Sequence, residues 1–570
     1  MLDSVIFSKF GGCEDYSKEM TSTFTMISIH MRKIFAFLFL IIGALACTPQ
    51  ELPPEDDQTP DVEAPAPDPK PDPEPDPEPA PVFETSYEAV ANMGVGWNLG
   101  NTLEPVWSGD TDGRDWRKWE TGWGQAVTTP ALIGMMRDAG FGAIRVPVSW
   151  GVHMDADGNV YDEWMNRVQE VVDYVIDAGL YCIINVHHDT GADEELAWLV
   201  ASPEAYARNK AIYEGLWRQI AERFRDYDQR LLFESFNEML DEGRSWCFAS
   251  LSLGYDETVA KGAYDAINAY NQSFVDVVRA TGGNNAARNL VVNTYGACSG
   301  SGNWNPHLQD PLKNMKKPSD PGDHIIFQVH NYPMIDDLAA MERELNQMLD
   351  DLETYLEPLG GPVIVGEWGT FSDNPTLENF CYYARYFVSE CKRRGIGTFH
   401  WMLLSDGIYR SIPCFNEPEI TEAIVKGYHG DGFAPVIPVI GDYDLDYKVT
   451  YYDRWSELNM TEGEADLDLY KGIKFEFEEA PAKGLFHVKI YGDEEGKEQY
   501  TGFEGASAYV AFDPETLGSQ ARRTTLQYLQ EGGATIILKR TSLVRNDGTE
   551  EECMPSVFWG CEVELISTGL

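Results

Sequence analysis

The chain has 570 residues, a formal net charge of −50 at pH 7 and 12% aromatic residues, including 15 Trp. This length exceeds one compact domain and predicts two folded domains with tails. The acidic charge excludes nucleic acid and anionic membrane surfaces as main partners, since phosphate groups require a basic face. A high aromatic content suits proteins that stack on sugar rings, although core packing also uses these residues.

The amino-terminal segment is predicted to be an export signal followed by a linker. Residues 31–47 contain a short basic region and an apolar stretch too short to cross a bilayer, and they end on Cys47 after small residues. This pattern resembles a bacterial lipoprotein signal in which Cys47 is lipidated. It predicts an exported, outer-membrane or cell-surface protein on the periplasmic or extracellular face, with the lipid as its only membrane contact.

Two further segments flank this signal. Residues 1–30 are interpreted as an extension from a mis-chosen start codon. Residues 48–82 are rich in Pro and acidic residues, which favours an extended, self-repelling linker because no core can be buried. A tail without a purpose is equally consistent with this composition.

Residues 83–434 alternate short apolar runs with segments of helical period, which is typical of repeated βα units. Eight units predict a (β/α)8 TIM barrel, and a doubly wound sheet is less suitable because no Gly-rich phosphate loop follows the first strand. The predicted strands are 94–99, 143–148, 181–186, 231–236, 290–294, 325–329, 363–365 and 398–402. The predicted helices are 129–139, 164–178, 205–224, 264–280, 335–356 and 377–394.

The predicted strands end on an unusual number of polar side chains. The fourth and seventh runs lead into Glu238 and Glu367, and paired strand-end carboxylates are what a glycosidase needs as acid/base and nucleophile. Other strand ends carry Asn98, Asn101, Arg145, His187, His188, Asn237, His330, Tyr332 and Trp401. A hydrogen-bonding role for the His pair is favoured over a metal site, and Arg145 as an ion pair at the barrel rim remains an alternative.

The ten Cys residues show no spacing typical of a zinc site. Cys553 and Cys561 are close enough in sequence for a hairpin disulfide, which an exported protein permits. Two unpaired buried cysteines are the alternative.

Six motifs in the central domain carry a resemblance to a known family. They are Gly96-Trp97-Asn98-Leu99-Gly100-Asn101-Thr102, Ile144-Arg145-Val146-Pro147-Val148, Asn185-Val186-His187-His188, Phe236-Asn237-Glu238, His330-Asn331-Tyr332 and Val365-Gly366-Glu367-Trp368-Gly369. In this order they resemble glycoside hydrolase family 5 of clan A. The run Arg279-Ala280-Thr281-Gly282-Gly283-Asn284-Asn285 is most similar to subfamily 4, which holds endo-β-1,4-glucanases, xyloglucanases and some xylanases.

The resemblance implies a role for each matched residue. Glu238 would be the acid/base and Glu367 the nucleophile, with carboxyl groups about 5–5.5 Å apart and retention of anomeric configuration. Arg145 and Tyr332 would keep Glu367 ionised, and the charge of Glu367 would raise the pKa of Glu238. Supporting residues would be Arg145, His187, Asn237, His330 and Tyr332, and substrate would contact Asn98, Asn101, His188, Trp123 and Trp401.

The loop after the first strand adds Trp107, Trp116 and Trp119 to Trp123 as candidate stacking platforms, with core packing equally suitable for each. Catalysis of this kind needs no metal and no organic cofactor. The partner is a β-linked polysaccharide, and a monomer is expected.

Residues 440–570 change to period 2, which predicts an antiparallel β-sandwich resembling a jelly roll. The predicted strands are 448–453, 473–477, 485–491, 507–512, 535–538 and 558–565, with a strand pair within 534–548 that closes on Asn546-Asp547-Gly548. Tyr451, Tyr452, Trp455 and Trp559 are candidate sugar platforms or core residues. The domain is either carbohydrate-binding or purely structural.

The sequence therefore predicts an exported, retaining endo-β-1,4-glucanase that cleaves internal bonds of a cellulose-type, xyloglucan or mixed-linkage glucan. An endo-xylanase or mannanase of the same family is one alternative. A non-catalytic polysaccharide-binding surface lipoprotein is the alternative from another class.

Overall fold

The structure is a computed structural model that describes residues 83–107, 112–193, 195–246, 255–301, 305–372, 375–401, 408–410, 412–439, 446–461 and 464–567. The predictions for residues 1–30, for the signal at 31–47 with Cys47, and for the linker at 48–82 all lie outside these ranges. Among the described residues, no helix combines the length and the apolar character that crossing a membrane requires.

Eight parallel strands pair in chain order and close into a barrel. Nearly every strand position is buried, because helices cover the outside and side chains fill the inside; continuous apolar runs in the sequence reflect this. The strands are β1 (Val95–Asn98), β2 (Ala143–Val146), β3 (Tyr181–Asn185), β4 (Leu231–Glu234), β5 (Leu290–Cys298), β6 (Ile325–Asn331), β7 (Val363–Trp368) and β8 (Gly397–His400). The predicted barrel is confirmed.

The helices outside the barrel begin at residues that satisfy free backbone N–H groups. Thr129, Ser202 and Thr376 each accept from an N–H group in the first turn of the helix that follows. The described helices of the barrel region are Ser86–Met93, Trp116–Glu120, Pro130–Ala139, Asp162–Asp177, Pro203–Arg223, Glu257–Ala280, Asp310–Lys313, Leu338–Tyr355, Leu377–Arg393 and Pro418–His429. Because all eight strands are parallel, their carboxyl ends meet at one end of the barrel.

The carboxyl-terminal region consists of two antiparallel sheets that enclose their own core. The strands are β11 (Asp446–Tyr451), β12 (Glu457–Asn459), β14 (Tyr470–Phe477), β15 (Phe486–Tyr491), β16 (Glu498–Gly502), β17 (Ser507–Ala511), β19 (Arg523–Tyr528), β20 (Ala534–Arg545), β21 (Glu550–Cys553), β22 (Ser556–Trp559) and β23 (Cys561–Ser567), with the short pair β13 (Ala465–Asp466) and β18 (Gln520–Ala521) and the helix Pro514–Leu517 beside them. One sheet has the order β17-β14-β20-β11-β23, with β21 paired to β20, and the other has the order β16-β15-β19-β12-β22.

Three sequence expectations change in this region. The strand Ala534–Arg545 turns at Asn546-Asp547-Gly548, where the turn was predicted, and pairs with Glu550–Cys553, so the strand pair extends beyond the predicted bounds 534–548. Cys553 and Cys561 are both buried thiols, and the predicted disulfide between them is not formed. Of the four aromatic candidates, Tyr451 is a core residue, whereas Tyr452, Trp455 and Trp559 are exposed.

The sandwich core also takes in residues that precede it in the chain. A small hairpin follows β8, with strands β9 (Ile408–Tyr409) and β10 (Cys414–Phe415). Ile412 and Cys414 from this hairpin are completely buried in the sandwich core cluster. On the same side, Arg117 of the barrel donates to Glu562 Oε2 at 2.5 Å and to the Tyr452 hydroxyl. Apolar and ionic contacts therefore join the sandwich to the barrel.

Candidate active site

The centre of the polar cluster in the barrel is Arg145, which lies on β2 and is completely buried. Its Nε and Nη2 donate to both oxygens of Glu234 at 2.6 and 2.7 Å. Its Nη1 donates to Glu367 Oε1 at 2.8 Å. A guanidinium that binds two carboxylates in this way holds both in a set position. Arg145 therefore forms ion pairs in the barrel interior and not at the barrel rim.

Glu367, near the end of β7, has a partner for each carboxylate oxygen. Besides the Arg145 contact, Oε2 accepts a hydrogen bond of 2.7 Å from the Tyr332 hydroxyl. His187 Nε2 lies 3.9 Å from Oε1, too far for a hydrogen bond. The carboxylate is almost fully buried and its orientation is determined by cationic and neutral donors from other strands.

Glu238, just after β4, faces Glu367 across His330. His330 Nδ1 lies 2.9 Å from Glu238 Oε1 and 3.4 Å from Glu367 Oε2. One oxygen of each carboxylate and one His330 nitrogen lie within 4.8 Å of one another. The structure thus brings together the two glutamates that the sequence singled out, at a spacing compatible with the retaining geometry of about 5–5.5 Å between carboxyl groups.

The two carboxyl groups are both affected by burial. Burial raises the pKa of Glu238 to about 7, with Arg145 acting in the opposite direction. The sequence expectation assigned this shift to the charge of Glu367, whereas removal from water is its cause. Burial also raises the pKa of Glu367, and His330, Arg145 and the Tyr332 hydrogen bond oppose that rise. Glu234 differs, because Arg145 outweighs burial and lowers its pKa.

The histidines around the pair are neutral at neutral pH. Burial lowers the pKa of His330 and of His188 to about 4, and it lowers the pKa of His187 well below the ordinary value. A neutral imidazole donates one hydrogen bond and accepts another. Asn185 Nδ2 lies 3.0 Å from His187 Nδ1, and Gln328 Nε2 lies 3.4 Å from His330 Nε2, so both rings are oriented from behind.

Asn98 and Asn237 orient Arg145 through their amide oxygens, at 3.0 and 2.8 Å from its Nη1 and Nη2. The Asn98 amide nitrogen also donates to the carbonyl of Gly366 at 2.9 Å. Asn98 is completely buried, and its prediction as a substrate contact was wrong because its polar atoms face the barrel interior.

One wall of the site is aromatic. The rings of His187 and Trp401 are stacked with centroids 5.7 Å apart, and Trp123 contacts His188 edge to face at 5.3 Å. A Cβ at Gly100 would lie 2.9 Å from the Trp401 ring, so the backbone approaches that ring where only glycine fits. Trp123 is one of the exposed large aromatics, as a stacking platform requires.

The neighbouring residues of this wall separate into two groups. Trp107 and Trp119 stack on each other at 3.9 Å and Trp119 is completely buried, so these two are packing residues rather than platforms. Trp116 is covered by the guanidinium of Arg167 at 4.7 Å. Asn101 has a φ of 58°, which Asn tolerates, and its half-exposed side chain stays a predicted substrate contact.

Sequence reasoning missed three residues of this site. Glu234 lies inside an apolar run, and only its bidentate bond to Arg145 reveals its function. Gln328 is two positions before His330, so it shares the inner face of β6. Phe371 follows β7, is exposed, and contacts Tyr332 with ring centroids 5.1 Å apart. The alternation of β6 could have identified Gln328; the other two had no local signal.

Glu238, His330 and Glu367 also have a spacing that could hold a metal ion. The donor set is unfavourable for a cation, since the Arg145 guanidinium already lies 2.8 Å from Glu367. The arrangement suits acid/base and nucleophilic chemistry, in which one carboxyl group carries a proton and the other a charge.

The barrel region of the chain is similar in sequence to known cellulases. A family model for cellulases, glycosyl hydrolase family 5, matches residues 106–407. Endoglucanase A of Clostridium longisporum is 35% identical over 332 residues, which cover 55% of this chain and 58% of that relative, so the chain spans little more than half of its length.

The chain is also similar in sequence and fold to solved structures of other proteins. A GH5-4 broad specificity endoglucanase from an uncultured bacterium is 52% identical with a TM-score of 0.59, over 61% of this chain and 97% of that one. A family 5 glycoside hydrolase from Prevotella bryantii, in complex with a xyloglucan tetradecasaccharide, is 38% identical with a TM-score of 0.54, over 61% of this chain and 99% of that one.

Proposed function

This chain belongs to glycosyl hydrolase family 5, the cellulase family, and from that premise we propose that it is a retaining endo-β-1,4-glucanase. The observation that carries the proposal is the pair Glu238 and Glu367, whose oxygens lie within 4.8 Å of each other beside a neutral His330. Retaining glycosidases use this short separation because the second carboxylate attacks the sugar directly.

In the first step one carboxyl group donates a proton and the other acts as the nucleophile. Glu238 holds a proton to about pH 7 because of burial and gives it to the glycosidic oxygen as the bond to the anomeric carbon breaks. Glu367 Oε attacks the same carbon and forms a glycosyl ester. The leaving chain departs as a neutral alcohol, and the negative charge of the site moves from Glu367 to Glu238.

The second step reverses the roles. Esterification removes the negative charge of Glu367, which makes ionised Glu238 more favourable. Glu238 then takes a proton from water, the hydroxide oxygen attacks the anomeric carbon, and Glu367 leaves as a carboxylate. Two inversions at one carbon give net retention.

The surrounding residues hold this geometry. Arg145 and Tyr332 stabilise Glu367 as a carboxylate and orient its oxygens. Asn237 has its amide oxygen committed to Arg145, so its NH₂ group would donate to the sugar 2-hydroxyl. Trp401 would lie under the reacting sugar, and Trp123, His188 and Asn101 would contact sugars further along the chain.

The substrate class rests on the relatives. The uncultured-bacterium structure is described as a broad specificity endoglucanase, and the Prevotella bryantii enzyme was captured with a xyloglucan fragment. We therefore assign a β-1,4-linked glucan backbone, with xyloglucan and mixed-linkage glucan among the candidates. Export, lipidation of Cys47, a cell-surface location and a monomeric state accompany this proposal as predictions from the sequence.

The test is parallel digestion of xyloglucan, carboxymethylcellulose, mixed-linkage glucan, xylan and mannan, with ¹H NMR of the first product. Release of large oligosaccharides with the β-anomer appearing first is expected from a β-glucan. An α-anomer would contradict double displacement, and activity on xylan or mannan alone would change the substrate class. No product from any polymer would favour a polysaccharide-binding protein.

A further inference from the structure

The outer face of the five-stranded sheet in the carboxyl-terminal sandwich differs from an ordinary solvated face. Its side chains form a row across all five strands, because residues paired in register point to the same side. In the pairing order β22-β12-β19-β15-β16 this row is Trp559, Glu457, Gln527, His487 and Gly502, with a register shift in β22 next to Trp559. A second row on the same face, two residues further along β12, is Ser556, Asn459, Thr525, Lys489 and Tyr500.

The middle of the first row is a network built around Glu457. The Tyr491 hydroxyl and the Thr525 hydroxyl each donate to Glu457 Oε2 at 2.8 Å. Gln527 Nε2 donates to Oε1 at 2.6 Å, and His487 Nε2 lies 2.7 Å from Gln527 Oε1. Glu457 is only 6% exposed although it faces outward. The hydrogen-bonding groups of this face are therefore held in set positions.

The edges of the same face carry exposed rings. Trp559 on β22 is 55% exposed and Tyr500 on β16 is 53% exposed. Four strand spacings of about 4.8 Å place these two edge strands about 19 Å apart. Between them, Lys489 Nζ lies 4.3 Å from the Tyr491 ring centroid. Rings at both ends with fixed polar groups between them suit a ligand that is flat, hydroxylated and extended.

The outer face of the other sheet shows what a solvated face of this domain looks like. Exposed ion pairs cover it, such as Lys448 with Glu564 at 2.5 Å and Lys474 with Glu550 at 2.7 Å. Such pairs are typical of surfaces without a ligand, and they contribute little to stability. Tyr509 on that face is 49% exposed and provides a matched control for Tyr500.

The chain that follows Trp559 contacts the barrel. Glu562, three residues later, binds Arg117, which belongs to the helix Trp116–Glu120 that precedes Trp123 of the active-site wall. Trp455 lies at the sheet edge that carries Trp559: it is 48% exposed, and its φ of 75° is a left-handed conformation that a bulky residue adopts at a cost. The ion pair between Arg117 and Glu562 thus links the segment that carries Trp559 to the segment that carries Trp123.

We propose that this face, defined by Trp559, Glu457, Gln527, His487 and Tyr500, is a second binding site for the neutral β-linked glucan on which the barrel acts. The inference rests on the proposed function for the identity of the polymer. Rings stack on sugar faces while the half-buried His487 exchanges hydrogen bonds with equatorial hydroxyl groups, and Gln527 and Glu457 hold the His487 ring in position. The charge of the chain disfavours an acidic polysaccharide, since Glu457 would repel carboxylates.

The experiment is affinity electrophoresis of the full chain in native gels that contain xyloglucan. Every protein carries Glu367→Gln, so the polymer is not consumed. Trp559→Ala and Tyr500→Ala are compared with Tyr509→Ala, and thermal unfolding verifies that each variant folds. We expect dissociation constants about tenfold higher for Trp559→Ala and a smaller rise for Tyr500→Ala, with no change for Tyr509→Ala. Gels with dextran, which is α-linked, should retard none of them.

The proposed second site would be overturned if xyloglucan retarded all three variants as strongly as the parent protein. It would also be overturned if all three variants lost the same amount of retardation. Hydrolysis by the chain without substitutions is measured separately on the same polymer. If it releases no oligosaccharide while Trp559→Ala still weakens retardation, the proposed function fails and the binding face stands. If the chain hydrolyses xyloglucan and retardation is independent of Trp559, the proposed function stands and the second binding site fails.

Discussion

Two surfaces of this chain each hold a buried glutamate in a hydrogen-bond network, and they stabilise it differently. In the barrel, Glu367 has the Arg145 guanidinium at 2.8 Å, and Arg145 in turn binds Glu234. On the sheet, Glu457 accepts hydrogen bonds from neutral donors, and the nearest cation, Lys489, lies at 3.8 Å. A site that must change its charge during a reaction needs a strong, fixed counter-charge. A site that only binds needs acceptors in set positions.

The largest expected effect tests the barrel side of this comparison. Glu367→Gln should lower kcat by about 10⁴-fold or more, because the amide cannot form the glycosyl ester. Glu550→Gln makes the same chemical change in an exposed ion pair of the sandwich and should leave kcat unchanged. Rates are measured on the best polymer of the panel. Substantial turnover by Glu367→Gln would remove the nucleophile assignment.

The second prediction compares the two cations. Arg145→Met leaves Glu234 and Glu367 buried without their partner and should lower the free energy of unfolding by about 3–5 kcal/mol. Lys489→Met should cost less than about 1 kcal/mol, because Glu457 keeps three neutral donors. Urea denaturation of both variants gives the two values. Similar losses would show that the two networks depend on charge equally.

The third prediction concerns the proton on Glu238. Because its pKa is raised to about 7, the protonated acid should be lost above that pH and kcat/KM should fall about tenfold per pH unit there.

The raised pKa of Glu238 also makes the folded state bind more protons than the unfolded state between the ordinary pKa of 4.5 and about 7. Stability from this group is thus present at low pH and is lost as pH rises through that window.

Glu238→Gln removes this titration and provides its control. The decline in the free energy of unfolding between pH 4.5 and 7 should become shallower than in the parent chain. Urea melts at several pH values measure both slopes. An unchanged slope would assign the pH dependence to other groups.

The smallest effect tests the sandwich side. Trp455 has a φ of 75°, so Trp455→Gly should be about 1 kcal/mol more stable than Trp455→Ala, since only alanine retains the backbone strain. Both variants lose the contact between the ring and the Arg454 guanidinium at 4.4 Å, which therefore cancels in the comparison. Thermal unfolding measures the difference. Equal stabilities would mean that the backbone changes conformation when the ring is removed.

The barrel could be predicted closely because its strands are buried on both faces. Continuous apolar runs such as residues 181–184 and 363–365 need no tertiary information to be recognised as strands. The strand β5 was predicted too short, since it continues past a break in register to Cys298. In the sandwich, β12 has three residues and β18 has two, and only their partners make them strands.

The candidate site was predictable from the sequence only in part. The position of Glu238 and Glu367 at strand ends was visible in the sequence, because a parallel barrel brings strand ends together wherever they lie in the chain. The separate functions of Asn98 and Asn101 were not visible. Asn98 is the last residue of β1 and Asn101 follows it, but Asn98 points into the barrel and binds Arg145, which only the closed barrel determines.

The sequence by itself determined the fold class, the family resemblance and the two glutamates, since these depend on local pattern and on strand order. The tertiary structure decided which groups touch. It paired Arg145 with Glu234, partly buried Glu238 so that its pKa rises to about 7, and aligned Trp559, Glu457 and Gln527 across separate strands. Pattern along a chain reports which face of a strand is buried, but contact, burial depth and pKa depend on residues that are distant in the chain and adjacent only after folding.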